Sequence, residues 1–332
     1  MDFDLNDEQK EIKRVANELL ASRSPFAKVR EAAEAGAYDP ALWNELVELG
    51  WPGIAVSAEH GGQELGAVGL AVLLEELGYA CAATPFFSTA TAAAVIQATG
   101  TPEQRSRWLP ALAAGEATAG IGTRELAADA SDAAVIVLLD GDEALLLDRG
   151  DADVSPLVSI DPTRRFATVA GGGQALAAGA ADRVRAALAA EVVGVCQRAL
   201  DMTLEYVKDR KQFGVPVGSF QAVSHRCAQM LLHTESARSA AYFAAWAADD
   251  DPDRLPEAGA LAAASAADGG REVTASAIQA HGGIGFTWEA DVHWLYKRAQ
   301  LDSALLGGAK RHRAALARLG AARVRGSLAA AG

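Results

Sequence analysis

Three cysteines are all this 332-residue chain has, and Cys81, Cys196 and Cys227 stand far apart with no Cys-x-x-Cys pair. That argues against a redox couple or a metal-ligand set and leaves them as small core residues. The six histidines include no i, i+4 pair around a glutamate, so the zinc-hydrolase signature is missing too. No stretch approaches the unbroken apolar run that a membrane span requires. The opening Met1-Asp2-Phe3-Asp4 is acidic, unlike the basic start and apolar middle of a signal peptide. These absences lead us to expect a soluble, cytoplasmic protein with no membrane partner. Positive charge is scarce as well. Thirty Lys and Arg face 43 Asp and Glu, a net charge of -13, which argues against a nucleic-acid partner because binding phosphates needs a basic surface. Any anionic ligand needs a local basic pocket.

What is present is apolar and mostly helical in period. Half the residues are hydrophobic, and the length allows two or three packed layers with a sizeable core. Asn6 before Asp7-Glu8-Gln9 reads as an N-cap with an amide at N3. Asp39-Pro40 and Thr101-Pro102-Glu103-Gln104 read as two more helix starts with proline at N1. Leu42, Leu46, Leu49 and then Leu70, Leu73, Leu74, Leu77 recur at helical spacing, with Ala58-Glu59-His60-Gly61-Gly62 as a loop between them. The middle changes texture. Ala133 to Leu139, the turn Asp140-Gly141-Asp142 and Leu145-Leu146-Leu147 predict a hairpin. Val154 to Ile160 and Phe166 to Val169 predict two further strands, giving a small sheet of about four. From Asp182 the helical period returns, with stripes such as Leu188, Val192, Val195, Ala199 and Met202. Pro252 and Pro256 precede an Ala-rich helix towards Ala280, His281-Gly282-Gly283-Ile284-Gly285 is a sharp turn, and one last helix is expected from Trp294 to Leu319. The expected fold class is mainly α with a small β domain. Residues 1–120 form a helical domain, 121–181 a reduced β domain, and 182–332 a four-helix bundle.

Several segments in order carry a resemblance. They are Leu49-Gly50-Trp51, Ala58-Glu59-His60-Gly61-Gly62, Glu75-Glu76-Leu77-Gly78 and Thr101-Pro102-Glu103-Gln104-Arg105 with Trp108-Leu109-Pro110. In the second half come Gln197-Arg198-Ala199-Leu200, Asp209-Arg210-Lys211-Gln212-Phe213-Gly214, Phe220-Gln221, Gln279-Ala280-His281-Gly282-Gly283-Ile284-Gly285-Phe286-Thr287 and Leu295-Tyr296-Lys297-Arg298-Ala299. Together they resemble the acyl-CoA dehydrogenase family, with Ser57 where its loop usually has proline. The resemblance implies FAD as cofactor and an acyl-CoA substrate. It also implies that Arg210, Phe213, Gln279, Gly282 and Gly283 reach across a subunit interface to the diphosphate and adenylate of a flavin held by a neighbour. The chemistry agrees, since a guanidinium fork suits a diphosphate and paired glycines let backbone approach a bulky ligand. The plainer reading makes Arg210 part of a solvated Lys208-Arg210-Lys211 face.

Measured against the family, two things are missing. The glutamate that removes the α proton falls, by counting from Tyr296, on Leu306. The alternative position before an arginine is Val184, next to Arg185. Neither side chain can accept a proton. The flavin-ring loop of the family, Thr-Glu-x-Gly-x-Gly-Ser-Asp-like, is here Gly122-Thr123-Arg124-Glu125-Leu126-Ala127-Ala128-Asp129, and no tryptophan lies between Trp108 and Trp246. One carboxylate stands out. Glu191, among alanines and valines, is a relocated base, a polar contact across the subunit interface such as one to an arginine, or a solvated position. The resemblance therefore implies a partner chain, like the short subunits of actinobacterial α2β2 acyl-CoA dehydrogenases acting on sterol side chains. Such a chain completes the flavin site of a full-length subunit. Two alternatives stay open: an active homo-oligomer with Glu191 as base, and a flavin-free structural or acyl-CoA-binding protein.

Overall fold

The computed structural model describes residues 4–330. Six helices open the chain: α1 (Asp7–Arg23), α2 (Phe26–Ala35), α3 (Pro40–Glu48), α4 (Gly66–Tyr79), α5 (Phe86–Thr99) and α6 (Pro102–Ala113). Their starts follow local chemistry. Asn6 and Thr101 each form a full capping box with Gln9 and Gln104, and Asp39 caps α3 ahead of Pro40, so donors that a helix end leaves orphaned are met by side chains. Helix α4 has almost no polar face; ten consecutive positions but for its first three and last one are buried, because it runs between α1 and the C-terminal helices.

The middle holds a seven-stranded sheet in the order β5-β6-β2-β1-β3-β4-β7. Its strands are β1 (Ala119–Gly122), β2 (Ala127–Ala128), β3 (Val135–Asp140), β4 (Glu143–Asp148), β5 (Asp153–Leu157), β6 (Phe166–Ala170) and β7 (Gln174–Ala175). The β3–β4 hairpin forms as expected, pairing Val135 with Asp148 and Asp140 with Glu143 around Gly141 at φ +69°. Alternation sorts the strand: Val135 and Val137 face the main core, while Ile136 and Leu138 join Leu147 and Val169 in a smaller one, as a period of two requires. The sheet exceeds the four strands expected. The extra strands are two-residue pieces and the glycine-containing Ala119–Gly122, too short or too weak in β propensity to show a pattern.

The remainder is a bundle of α7 (Ala180–Asp209), α8 (Gln221–Asp250), α9 (Leu255–His281), α10 (Val292–Leu305) and α11 (Ala309–Ala330), with a two-strand turn, β8 (Lys211–Gln212) and β9 (Val215–Pro216), joining α7 to α8. The single last helix expected from Trp294 to Leu319 is two helices. Gly307 and Gly308 take φ +77° and +74°, a left-handed pair that ends α10 without the penalty a side chain would bring. Helices α4 and α7 cross at backbone contact. A Cβ on Gly78 would sit 2.1 Å from the Glu191 carbonyl oxygen, and one on Gly194 would sit 1.8 Å from that of Glu75. Beside that crossing, buried Glu75 is held by Lys13 at 2.9 Å, Tyr242 at 2.7 Å and Arg238. Burial opposes its charge, but Arg238 and Lys13 outweigh it and keep its carboxyl below the usual range. Gly194→Ala therefore forces the two helices apart and is expected to cost about 2 kcal/mol or more, read as a lower urea midpoint. An unchanged midpoint would show that the crossing is not set by these glycines.

Candidate active site and flavin half-site

Two groups of residues matter, one facing outwards and one sealed. The outer group sits at one end of the bundle. Helix α7 ends at Arg210, whose extended backbone starts the β8–β9 turn, and α9 ends at His281 before Gly282. The Tyr206 and His281 rings stack at 4.5 Å and 21°, and His281 Nδ1 lies 2.8 Å from the Ala277 carbonyl oxygen. That stack fixes the two turns side by side. On them Arg210, Gln279, Gly282 and Gly283 are exposed, and Phe213 is 94% exposed with φ +53°. A bulky residue that is both strained and almost fully in solvent marks a place where something else is met. A Cβ on Gly282 or Gly283 would touch nothing; Gly282 takes φ +65°, a turn that itself favours glycine, whereas no contact within the chain requires Gly283. These residues fit the outer, diphosphate and adenylate, half of a flavin site: a guanidinium, an aromatic face, an amide and open backbone on one surface.

The inner group is a buried ion cluster. Glu191, on α7 and 2% exposed, receives Arg298 Nη1 at 3.0 Å and is also bonded by Arg164 Nη2. Arg298 lies on α10 and spends its remaining donors on Asp161 (2.7 Å), Thr163 Oγ1 (2.7 Å) and the Ala82 carbonyl (3.4 Å). Arg164 comes from the loop between β5 and β6, gives Asp302 of α10 a bond at 3.0 Å and lies over the Phe87 ring at 4.6 Å. Desolvation, then the Glu191 charge, push the Asp302 carboxyl well above the usual range. Two guanidiniums thus share the carboxyls of Glu191, Asp161 and Asp302. The Glu191 Oε2 and Asp302 Oδ2 atoms are left without a protein partner. Where the middle sheet's loop meets the bundle, arginine side chains fill the space.

The other predicted positions are apolar or engaged. Leu306 caps α10, is 4% exposed beside Leu305 in the main core, and its carbonyl receives His312 Nε2; this is filled core. Val184 is buried. Arg185 binds Asp182 at 2.6 Å, Asp142 at 2.7 Å and the Gly141 carbonyl at 2.9 Å, fastening the β3–β4 hairpin to α7. Sequence reasoning missed Arg164, Asp302 and the Tyr206–His281 stack. The one available signal was Asp161-Pro162-Thr163-Arg164-Arg165, two adjacent arginines close to an acid in a middle region whose charges are mostly acidic.

Comparison with known proteins decides the family. The N-terminal domain of acyl-CoA dehydrogenases matches residues 6–116, and their C-terminal domain matches residues 171–320. The chain belongs to the acyl-CoA dehydrogenase family. It is 34% identical to acyl-CoA dehydrogenase IpdE2 of Mycolicibacterium smegmatis over 91% of this chain and 96% of that protein. A Tcur3481-Tcur3483 steroid ACAD variant superposes with a TM-score of 0.86 at 28% identity, covering 97% of this chain and 99% of the other. The ChsE4-ChsE5 complex from Mycobacterium tuberculosis shares the fold, with a TM-score of 0.83 at 23% identity, over 96% and 98% of the two chains. Membership of this acyl-CoA dehydrogenase family supports an oxidoreductase that uses FAD. Among the described residues no helix is long and apolar enough to cross a membrane.

The cluster makes a graded prediction. Glu191→Ala strands two buried guanidiniums and should cost about 3–5 kcal/mol, seen as loss of the cooperative transition or of soluble protein. Asp302→Asn imitates the protonated acid and should be mild. A raised folded-state pKa contributes stability at low pH that is lost as pH rises through it. Wild type should therefore lose stability relative to Asp302→Asn on going from mildly acid to mildly alkaline pH. Parallel pH curves for the two proteins would contradict a protonated Asp302.

Proposed function

We propose that this chain is a non-catalytic subunit of an FAD-dependent acyl-CoA dehydrogenase and completes the flavin site of a full-length partner subunit in an α2β2 assembly. The observation that carries the reading is the contrast between the two halves of the site. The outward half is open and exposed at Arg210, Phe213 and Gln279, while the inward half is closed by Arg164, Arg298 and Glu191, each less than a twentieth exposed. A base needs to reach the proton that it abstracts. Glu191 is turned instead into two guanidiniums, and the position counted as the family's glutamate carries Leu306. In this reading the partner supplies the base and the cradle for the flavin ring. Bound FAD accepts the hydride that leaves the β carbon of the acyl thioester. This chain's residues bind and orient: Arg210 neutralises diphosphate charge, Phe213 offers a stacking face, Gln279 a hydrogen-bonding amide, and the Gly282-Gly283 backbone permits close approach. The names of the similar steroid ACAD and of the ChsE4-ChsE5 complex support a two-chain enzyme acting on a steroid side-chain thioester.

Arg210→Ala tests this in the purified two-chain complex. Losing the guanidinium should weaken flavin retention at least about tenfold, a loss of about 1.4 kcal/mol or more, and bleach the complex during gel filtration while its mass stays the same. Full flavin retention by that variant would favour the flavin-free reading. Catalytic loss in Glu191→Gln with folding, flavin and mass intact would favour the active homo-oligomer.

A further inference from the structure

A second cavity lies apart from the flavin half-site, enclosed by the starts of α4 and α7 and the ends of α5 and α8. Its volume is about 150 Å³, and its walls are chiefly alanine, among them Ala94, Ala187 and Ala245. Alanine walls alone signify loose packing. Two side chains here signify more. Thr91 is 1% exposed and lines the cavity, yet its Oγ1 has no hydrogen-bond partner, although helical threonines commonly bond the carbonyl one turn back. An unmet buried hydroxyl costs free energy. Arg183, also in the wall, gives its Nη2 to the Ala248 carbonyl at 2.9 Å and its Nη1 to the Gly179 carbonyl at 3.5 Å. Among the described residues it has no ion pair with a carboxylate, and desolvation pulls its pKa down.

The acid at the mouth, Asp249, is already spent. Its two oxygens accept the Ala67 and Val68 backbone amides at 2.8 and 3.1 Å, bonds that offset only part of the desolvation that raises its pKa, and Arg183 feels its charge and that of Asp182 without pairing with either. A Cβ on Gly66 would lie 2.6 Å from Asp249 Oδ2, so glycine at position 66 is what lets the carboxylate come this close. The cavity thus presents one underused cation, one unmet hydroxyl and an apolar interior. A cavity of this size in another protein holds a benzene ring.

We propose that this cavity binds a short aliphatic carboxylate of about four to six carbons, its head on Arg183 and its chain among the alanines beside Thr91. The site uses none of the flavin-facing residues, so it stands or falls separately from the subunit reading above. The test is thermal shift and titration calorimetry on the purified full-length assembly with butanoate, pentanoate and hexanoate, and with the primary alcohols of equal length. Wild type should show saturable stabilisation by the acids and not by the alcohols. Arg183→Met should raise the apparent Kd at least about tenfold, Ala94→Leu should abolish binding by filling the space, and Thr91→Val should weaken it. Absence of any shift in wild type, equal shifts with the alcohols, or binding that survives Arg183→Met would overturn the assignment. If Ala94→Leu fails to fold by circular dichroism, Arg183→Met and Thr91→Val decide the matter.

Discussion

Arg298 is the residue on which the arrangement depends. It is fully buried and satisfied in every direction, and through it the loop after α4, the loop before β6, the middle of α7 and the first turns of α10 meet at one point. Those segments are up to 216 residues apart in the chain. Burying such charges is costly, and an apolar replacement of equal shape often matches a buried ion pair in stability. What the cluster provides is uniqueness of arrangement. The Asp161–Arg165 loop receives Arg298 at Asp161 and Thr163 and sends its own Arg164 to Glu191, so sheet and bundle are tied together from both sides. Arg164 from that loop extends the cluster to Asp302, where desolvation and the Glu191 charge push the carboxyl well above its usual range.

The joint between sheet and bundle is occupied by the guanidinium groups of Arg164 and Arg298, which is one reason for the proposal that the flavin site is shared with another chain. The turns after α7 and α9 are suited to sharing. They are rigid through the Tyr206–His281 stack, bare at Gly282 and Gly283, and carry an aromatic side chain and a guanidinium in solvent.

Much of the architecture could be read in the residues. Capping boxes at Asn6 and Thr101, the Asp39-Pro40 start and the Asp140-Gly141-Asp142 hairpin turn are local signals, and local chemistry fixes them. The outward residues fall in ordered motifs, and the structure leaves them exposed; their contact with flavin is part of the proposal. The sealed cluster could not be read. Glu191 drew notice as a lone acid on an apolar helix, but its partners come from 27 and 107 residues away, and no pattern of period 2 or 3.6 links such positions. The break at Gly307-Gly308 was missed for a different reason. Two glycines inside a helical pattern are compatible with a weak helix or with a cap, and only the φ values decide.

The central claim is that flavin is shared and that this chain holds none by itself. Flavin content and native mass, measured on the chain alone and on the chain co-expressed with a full-length acyl-CoA dehydrogenase subunit, test it most directly. The account predicts a colourless chain alone and a yellow hetero-oligomer with fewer flavins than subunits. A yellow homo-oligomer with one flavin in every protomer would contradict it.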